Sequence, residues 1–340
     1  MNKVKVIPVW DKTNEEWLEI RKGGIGGSDA GTICGVNKYK SAYALWAEKS
    51  GVIENEFQGN DATKWGHRLE RVTAEAYAED YNKAVVEWPV ILWSEEEGRE
   101  FMFANLDFLI VEPSDEFPAG TVQTWRFETE PPNILGILEV KTAGIASPGN
   151  PGAWLGNKIP DSYALQGYHY GVCTGYKSIT FAALVAGYGL QVREMEWDTD
   201  VEESMIINEQ QFWYMVQSGI APDADGSDAT ESALQQRYPR HEEGKGVEGG
   251  SELGKLWEEF SQAKVDAEEA DKVRKGLRAK ILEIVGNAEF ATVDGQTILT
   301  YKASKDVESL DTDRLKAEAP EIFEKFKKIR SGARTLRAVK

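Results

Sequence analysis

Cysteine is nearly absent from this chain, with Cys34 and Cys173 the only two in 340 residues. Two thiols exclude a disulfide framework, a four-cysteine zinc site and an iron–sulfur cluster. They leave a reducing cytoplasm as the expected compartment. Histidine is almost as scarce: His67, His169 and His241 are not spaced as a metal site and are expected in structural or surface roles. No apolar run approaches the ~20 residues that a spanning helix needs. Residues 1–10 lack the apolar core of a signal peptide, so no membrane association is expected. Positive charge is also short, with 39 Lys and Arg against 57 Asp and Glu and a formal net charge of -18. For a nucleic-acid partner that sign is wrong, because affinity usually comes from cations that neutralise phosphate.

What is present is unevenly placed. Residues 241–340 hold 19 Lys and Arg against 20 acids, which leaves 20 against 37 in the first 240. The final cations, Lys325, Lys327, Lys328, Arg330, Arg334, Arg337 and Lys340, all follow the last acid, Glu324. Periodicity predicts helices over 14–22 (N-cap Asn14), 41–50, 61–82, 160–175, 201–219, 251–285 and 310–328. Strands are predicted over 85–93, 101–111, 136–142, 179–187 and 190–197, with a hairpin over 289–302. Glycine, serine and acids dominate 220–250, which reads as an exposed linker. The expected domains are therefore a core over 1–225, a linker over 226–250 and a C-terminal extension over 251–340.

The stretch Gly136-Ile137-Leu138-Glu139-Val140-Lys141-Thr142 carries an unusual pair of charges. Alternate residues of a strand share a face, so Glu139 and Lys141 stand side by side in an apolar strand. Each charge costs several kcal/mol to desolvate. One reading is an exposed ion pair at a strand end. The other is a metal-binding carboxylate beside a lysine that orients a nucleophilic water. Two further acids sit in related places, Glu70 on the helix over 61–82 and Asp107 in the preceding strand. Carboxylates from neighbouring elements can bind Mg²⁺ or Mn²⁺ through hard oxygen ligands, and the Val140 carbonyl can complete the shell. Metal lowers the pKa of bound water and stabilises charge on a scissile phosphate. Gln166, on the following helix, is placed to hold the water or a phosphate oxygen. Upstream, the glycine-rich run 23–35 with Ser28, and Arg21 just before it, reads either as an ordinary turn or as an anion pocket at a helix start.

In their order, Gly24-Ile25-Gly26-Gly27-Ser28-Asp29, Trp65-Gly66 with Leu69-Glu70, Leu106-Asp107, Leu138-Glu139-Val140-Lys141 and Tyr163 with Gln166 carry a resemblance. The series, over about residues 14–200, resembles YqaJ-type phage recombination nucleases. These are relatives of lambda exonuclease in the PD-(D/E)xK, or restriction-endonuclease-like, superfamily. The resemblance implies an α/β (α+β) fold, with a central mixed β-sheet flanked by helices, and a C-terminal helical and β-hairpin extension. It implies a 5′→3′ exonuclease on linear double-stranded DNA in a bacterial host cytoplasm. The implied catalytic residues are Glu70, Asp107, Glu139, Lys141 and Gln166, with Glu70, Asp107, Glu139 and Val140 holding Mg²⁺ (or Mn²⁺), two per site. Arg21, Ser28 and Asn105 fall where such enzymes bind a 5′-terminal phosphate, with Asn105 replacing a serine. The implied partners are a single-strand annealing protein and further copies of the chain, in a ring. The sequence departs from the family in having Leu106 where a proline precedes the strand acid, and Tyr168 where a second glutamine follows Gln166.

The basic residues Lys325, Lys327, Lys328, Arg330, Arg334 and Arg337 are candidate DNA contacts, the alternative being a solvated helix end. A RecB-type or CRISPR-adaptation nuclease of the same core usually carries a four-cysteine cluster, which two cysteines cannot build. A site-specific endonuclease of the same fold and a non-catalytic DNA-binding scaffold remain as alternatives.

Overall fold

The computed structural model describes residues 1–54, 59, 61–144, 154, 156, 158–306, 308–328 and 334. The chain forms two compact units, Met1–Pro239 and Arg240–Lys340. The first contains β1 (Val4–Pro8), α1 (Asn14–Lys22), β2 (Ile25–Gly26), α2 (Gly27–Ile33), α3 (Ala42–Lys49), α4 (Asp61–Tyr81), β3 (Ala84–Glu87), β4 (Val90–Ser94), β5 (Met102–Ala104), β6 (Phe108–Val111), β7 (Thr121–Thr124), β8 (Ile134–Ala143), α5 (Asp161–Thr174), β9 (Ile179–Val185), β10 (Gly189–Glu194), α6 (Thr199–Ser218) and α7 (Asp228–Arg237). Its six-stranded mixed sheet runs β10-β9-β8-β6-β3-β7, and a four-stranded sheet runs β1-β4-β5-β2.

The α1 helix starts one residue earlier than its sequence suggests. Thr13 is the N-cap, and its hydroxyl accepts from the Glu16 N–H at 3.2 Å while Glu16 accepts from the Thr13 N–H at 2.8 Å. That reciprocal capping box satisfies two orphan donors, and Asn14 is already helical. Two predicted strands also divide. The run 85–93 breaks at Trp88-Pro89 because proline donates nothing to a ladder. Its halves, β3 and β4, then enter different sheets. The run 101–111 breaks into β5 and β6, again in different sheets. Asp107 therefore lies in the crossover between the sheets, one residue before β6, rather than inside a strand.

Strand β8 is the centre of the larger sheet, antiparallel to β6 and parallel to β9. Its two faces pack differently. Leu138 and Val140 join Ala74, Tyr77 and Ala78 of α4 in one cluster. Ile137 belongs to the other, with Phe181, Tyr168 and Val172. Side-chain alternation then places Glu139 and Lys141 on the side covered by α5.

The expected linker over 226–250 is corrected in its first part. Residues 228–237 form α7, whose Thr230 hydroxyl donates to Ser41 Oγ at 2.7 Å and whose Arg237 donates to the Tyr43 hydroxyl at 2.7 Å. This helix docks by hydrogen bonds and the buried Ala233, so no apolar period announced it. The compact core continues to Pro239.

The second unit contains α8 (Gly250–Val285), the antiparallel hairpin β11 (Phe290–Val293) and β12 (Gln296–Thr300), α9 (Thr312–Glu318) and α10 (Pro320–Phe326). The single helix expected over 310–328 is two, interrupted at Ala319 before Pro320. The residue ahead of a proline is pushed out of the helical region, and Ala319 has φ -140° and ψ 60°.

Candidate active site

Glu139 is fully buried, and both of its carboxylate oxygens have a distinct fate. Oε1 accepts from the Lys141 ammonium and from Gln166 Nε2, the latter at 2.6 Å. Oε2 is buried and has no hydrogen-bond partner among the described residues. A carboxylate oxygen left dry and unpaired is costly unless something else coordinates it. Asp107 lies next to it across the sheet, its Oδ2 accepting from the Val140 N–H at 3.0 Å. The Ile137 N–H donates to Ser178 on the β9 side at 2.9 Å. Successive residues of a strand present their backbone groups to opposite edges, so the Val140 carbonyl faces the Asp107 side.

Glu70 reaches the same region from α4, close enough for Asp107 and Lys141 to act on its carboxyl; one turn earlier, a Cβ on Gly66 would lie 3.7 Å from Thr142 Oγ1 at the end of β8. The Glu70 carboxylate is turned to His67 Nδ1 at 2.9 Å and is partly open to solvent. Arg71 pins the helix there, donating to Glu87 at 3.0 Å and to the Val122 carbonyl at 3.2 Å.

The electrostatics show that these groups share one field. Burial first, then Asp107, drives the Glu139 carboxyl up to about 8 against the pull of Lys141. Burial also raises Glu70, with Asp107 adding to it and His67 opposing. For Lys141 burial works downward, but Glu139 and Asp107 outweigh it and hold the ammonium above its ordinary range. Its Nζ also lies over the Tyr163 ring, 5.1 Å from the centroid.

The donor set fits a hard divalent cation, since Asp107, Glu70 and the bare Oε2 of Glu139 offer oxygen ligands and Lys141 and Gln166 occupy only the other oxygen of Glu139. Among the described residues, no three His, Cys, Asp or Glu side chains are already gathered as a metal-holding group. The reason is visible in the pairing, because Glu70 is held by His67 and half of Glu139 by Lys141 and Gln166.

Behind this site lies a second constellation. Arg21 donates to Ser28 Oγ at 3.2 Å and lies over the Trp17 and Phe103 rings, 4.4 Å and 5.1 Å from their centroids. It pairs with no carboxylate among the described residues, in a chain rich in them. Trp17 Nε1–H donates to Asn105 Oδ1 at 2.9 Å. So the three residues expected to bind a terminal phosphate converge. The glycine-rich run contributes less than the sequence suggests, because α2 has only seven residues and the Gly26 N–H is taken by Asp29 at 3.1 Å. Lys49 fixes the run in place, donating to the Arg21 and Gly24 carbonyls at 2.9 Å and 2.7 Å and pairing with Asp29 at 3.0 Å.

Tyr170 links the two groups, and sequence reasoning missed it. Its hydroxyl accepts from Gln166 Nε2 at 2.9 Å and donates to the Asn105 carbonyl at 2.9 Å. The available signal was spacing, since a residue four after Gln166 shares its helix face. The buried pair of His169 with Glu209, at 2.8 Å, was likewise unread. Of the basic tail, Lys327 pairs with Glu324 and Lys325 lies over Phe326, while Arg330 and Arg337 fall outside the described residues.

The YqaJ-like viral recombinase domain matches residues 16–177, a span that holds every residue of both constellations. Among solved structures, the alkaline exonuclease of Laribacter hongkongensis aligns at 17% identity with a TM-score of 0.44, covering 61% of this chain and 94% of that one. A stretch of 60 residues, 18% of this chain, is 37% identical to a protein of African swine fever virus, of which it covers 17%. The protein YqaJ of Bacillus subtilis (strain 168) is 30% identical over 324 residues, 94% of this chain and 92% of that protein. With a relative matched along nearly its whole length, the chain belongs to the family of YqaJ-like viral recombinases.

Proposed function

We propose that the protein is a metal-dependent deoxyribonuclease that digests linear duplex DNA 5′→3′ and leaves a 3′ single strand. The observation that carries this reading is the buried Glu139, with one oxygen held by Lys141 and Gln166 and the other bare beside Asp107. A structural ion pair needs no dry, unpartnered oxygen and no second carboxylate next to it.

Mg²⁺ or Mn²⁺ would be held by Asp107, Glu139 Oε2, the Val140 carbonyl and Glu70, and when bound would supply Lewis acidity toward the scissile phosphate and its attacking water. The remaining work falls to the chain. The Lys141 side chain, held against Glu139 Oε1, is placed to orient the water and to offset negative charge developing on the phosphate. Gln166 locks the carboxylate of Glu139 in one rotamer. Burial of Glu139 and of Gln166 keeps bulk water from competing for these contacts.

The Arg21, Ser28 and Asn105 group supports recognition of a 5′-terminal phosphate, since a guanidinium without a carboxylate partner is an anion site in waiting. That anchor selects an end over an internal bond, which favours an exonuclease over a site-specific endonuclease. The reading extends to a single-strand annealing protein as recipient of the 3′ strand. It also extends to a ring of copies, which would enclose the duplex and let a few cations serve a chain of net charge -18. In the tail, loss of residues 325–340 is expected to weaken duplex binding and flatten its salt dependence.

The test is digestion of linear duplexes, labelled at either 5′ end, with and without Mg²⁺, beside a closed circular duplex. Expected are Mg²⁺-dependent shortening from phosphorylated 5′ ends and untouched circles. Cut circles would favour the endonuclease, and binding without cleavage the scaffold.

A further inference from the structure

The side chain of Asn105 has two chemically opposite ends, a carbonyl that only accepts and an NH₂ that only donates. Indole nitrogen is a donor without acceptor capacity. The contact between Trp17 Nε1 and Asn105, at 2.9 Å, therefore has one solution, with the amide oxygen toward the indole. No ambiguity of amide orientation survives it. The backbone of the same residue is pinned from the other side, its carbonyl accepting from the Tyr170 hydroxyl at 2.9 Å. Asn105 is half-buried, and its NH₂ makes no hydrogen bond among the described residues.

The same indole carries Arg21 on its face. The guanidinium carbon lies 4.4 Å from the Trp17 centroid, and Phe103 holds it at 5.1 Å. A planar cation on two aromatic surfaces keeps its edges free to donate in plane, and one edge reaches Ser28.

We propose that Trp17 is the positioning residue of the terminal-phosphate pocket: its ring face aligns Arg21, and its indole N–H turns the Asn105 amide so that the NH₂ is offered to the phosphate. This rests on the reading of Arg21, Ser28 and Asn105 as that pocket. A hydroxyl rotates to donate without help, whereas an amide must be held the right way round, or it presents an oxygen to an anion.

The experiment uses the full chain and compares duplexes ending in a 5′-phosphate or a 5′-hydroxyl, by digestion in Mg²⁺ and by equilibrium binding in Ca²⁺. The readout is the preference ratio for phosphorylated ends. Trp17→Phe keeps a ring under Arg21 and removes the N–H, and is expected to lower the ratio by about tenfold through KM and Kd, the loss of one charge-assisted hydrogen bond. Adding Asn105→Ser to Trp17→Phe is expected to restore the ratio toward wild type, and a purely structural role for Trp17 gives no such rescue. Arg21→Gln tests the pocket itself. If Arg21→Gln removes the preference while Trp17→Phe leaves it intact, the proposal for Trp17 is wrong and the pocket stands. If Trp17→Phe lowers the ratio and Asn105→Ser fails to restore it, the amide-orienting role is wrong. If neither the wild type nor Arg21→Gln distinguishes the two ends, the pocket reading fails and Trp17 falls with it. Should Trp17→Phe fold poorly, Asn105→Ser and its double variant with Trp17→Tyr supply the same comparison.

Discussion

Gln166 donates to Glu139 Oε1 at 2.6 Å across the interface of α5 with the central strand. That bond, shared with Lys141 on the same oxygen, leaves Oε2 bare and gives the carboxylate a direction. The bare oxygen and the neighbouring Asp107 then face a common region.

Replacing Lys141 by alanine removes the ammonium proposed to offset charge on the reacting phosphate. Cleavage is expected to fall by about 10²–10³-fold, with duplex binding retained. Steady-state digestion beside a gel-shift titration checks this, and retained cleavage would refute the role assigned to Lys141.

Mg²⁺ is expected to raise the thermal midpoint of the wild type, because a cation among Asp107, Glu139 and Glu70 relieves their repulsion. Asp107→Asn should bind more weakly and lose most of that shift. Differential scanning fluorimetry across a Mg²⁺ titration, with a chelator control, measures it. A shift unchanged in Asp107→Asn would place the ion elsewhere.

Gln166→Leu removes the donor to Glu139 and the donor to the Tyr170 hydroxyl while keeping most of the volume. The Tyr170 hydroxyl then loses its donor and Glu139 Oε1 keeps only Lys141; a buried acceptor without a partner costs about 1–3 kcal/mol, so the unfolding free energy should drop by that amount and the urea midpoint with it. Activity should fall with it, because the Glu139 rotamer is released. An unchanged midpoint would mean that the network contributes nothing to folding.

His169 is fully buried between two acceptors, Glu209 on Nδ1 at 2.8 Å and the Phe103 carbonyl on Nε2 at 3.0 Å. Only the imidazolium can donate to both. Burial lowers its pKa, but Glu209 and the Phe103 carbonyl more than offset this, and the net direction is upward from 6.5. A raised native-state value contributes stability that is complete below the unfolded value and is lost as pH rises through the native one. Unfolding free energy is therefore expected to decline from about pH 6.5 upward, and His169→Asn should flatten that decline. Urea melts over a pH series decide, and equal slopes in the two proteins would exclude the pair as the source.

Two glycines offer a contrast in packing. A Cβ on Gly27 would lie 2.5 Å from the Tyr170 ring, which hydrogen bonds hold at its hydroxyl. A Cβ on Gly167 would lie 2.8 Å from the flexible Met195 sulfur. Gly27→Ala is expected to cost about 1–3 kcal/mol, and Gly167→Ala less, since methionine adapts. Chemical denaturation ranks them, and the reverse order would contradict a rigid Tyr170.

Much of the scaffold could be read directly. Helical spacing through Ala62, Trp65, Leu69, Val72, Ala76 and Tyr77 marked α4, although the face it buries is Thr73, Ala74, Tyr77 and Ala78 while Trp65 and Val72 are exposed, and the apolar Ile137, Leu138 and Val140 marked the central strand. Glu139 and Lys141 stood out because opposite charges seldom occupy one face of a buried strand. Other features were illegible for physical reasons. Asp107 seemed to lie within a strand, because β5 and β6 are buried on both sides and show no alternation to mark their junction. Helix α7 gave no apolar period, since polar bonds from Thr230 and Arg237 hold much of it down.

Composition and local order thus excluded a four-cysteine metal site and marked Asp107, Glu139 and Lys141 as charges out of place, whereas Glu70, Arg21 and Ser28 drew their expected roles from the order of motifs that carries the resemblance. Those properties belong to residue type and short-range periodicity, which any linear reading can use. Their assembly belongs to the fold. That Oε2 of Glu139 has no partner among the described residues, that Tyr170 joins Gln166 to the Asn105 carbonyl, and that Trp17 donates to the Asn105 amide oxygen follow from contacts between residues 2 to 88 positions apart. Apart from the neighbouring pair Glu139 and Lys141 and the one-turn contact of Gln166 with Tyr170, no local rule encodes such pairings, because they arise only when the two sheets and α5 close around the crossover that carries Asp107.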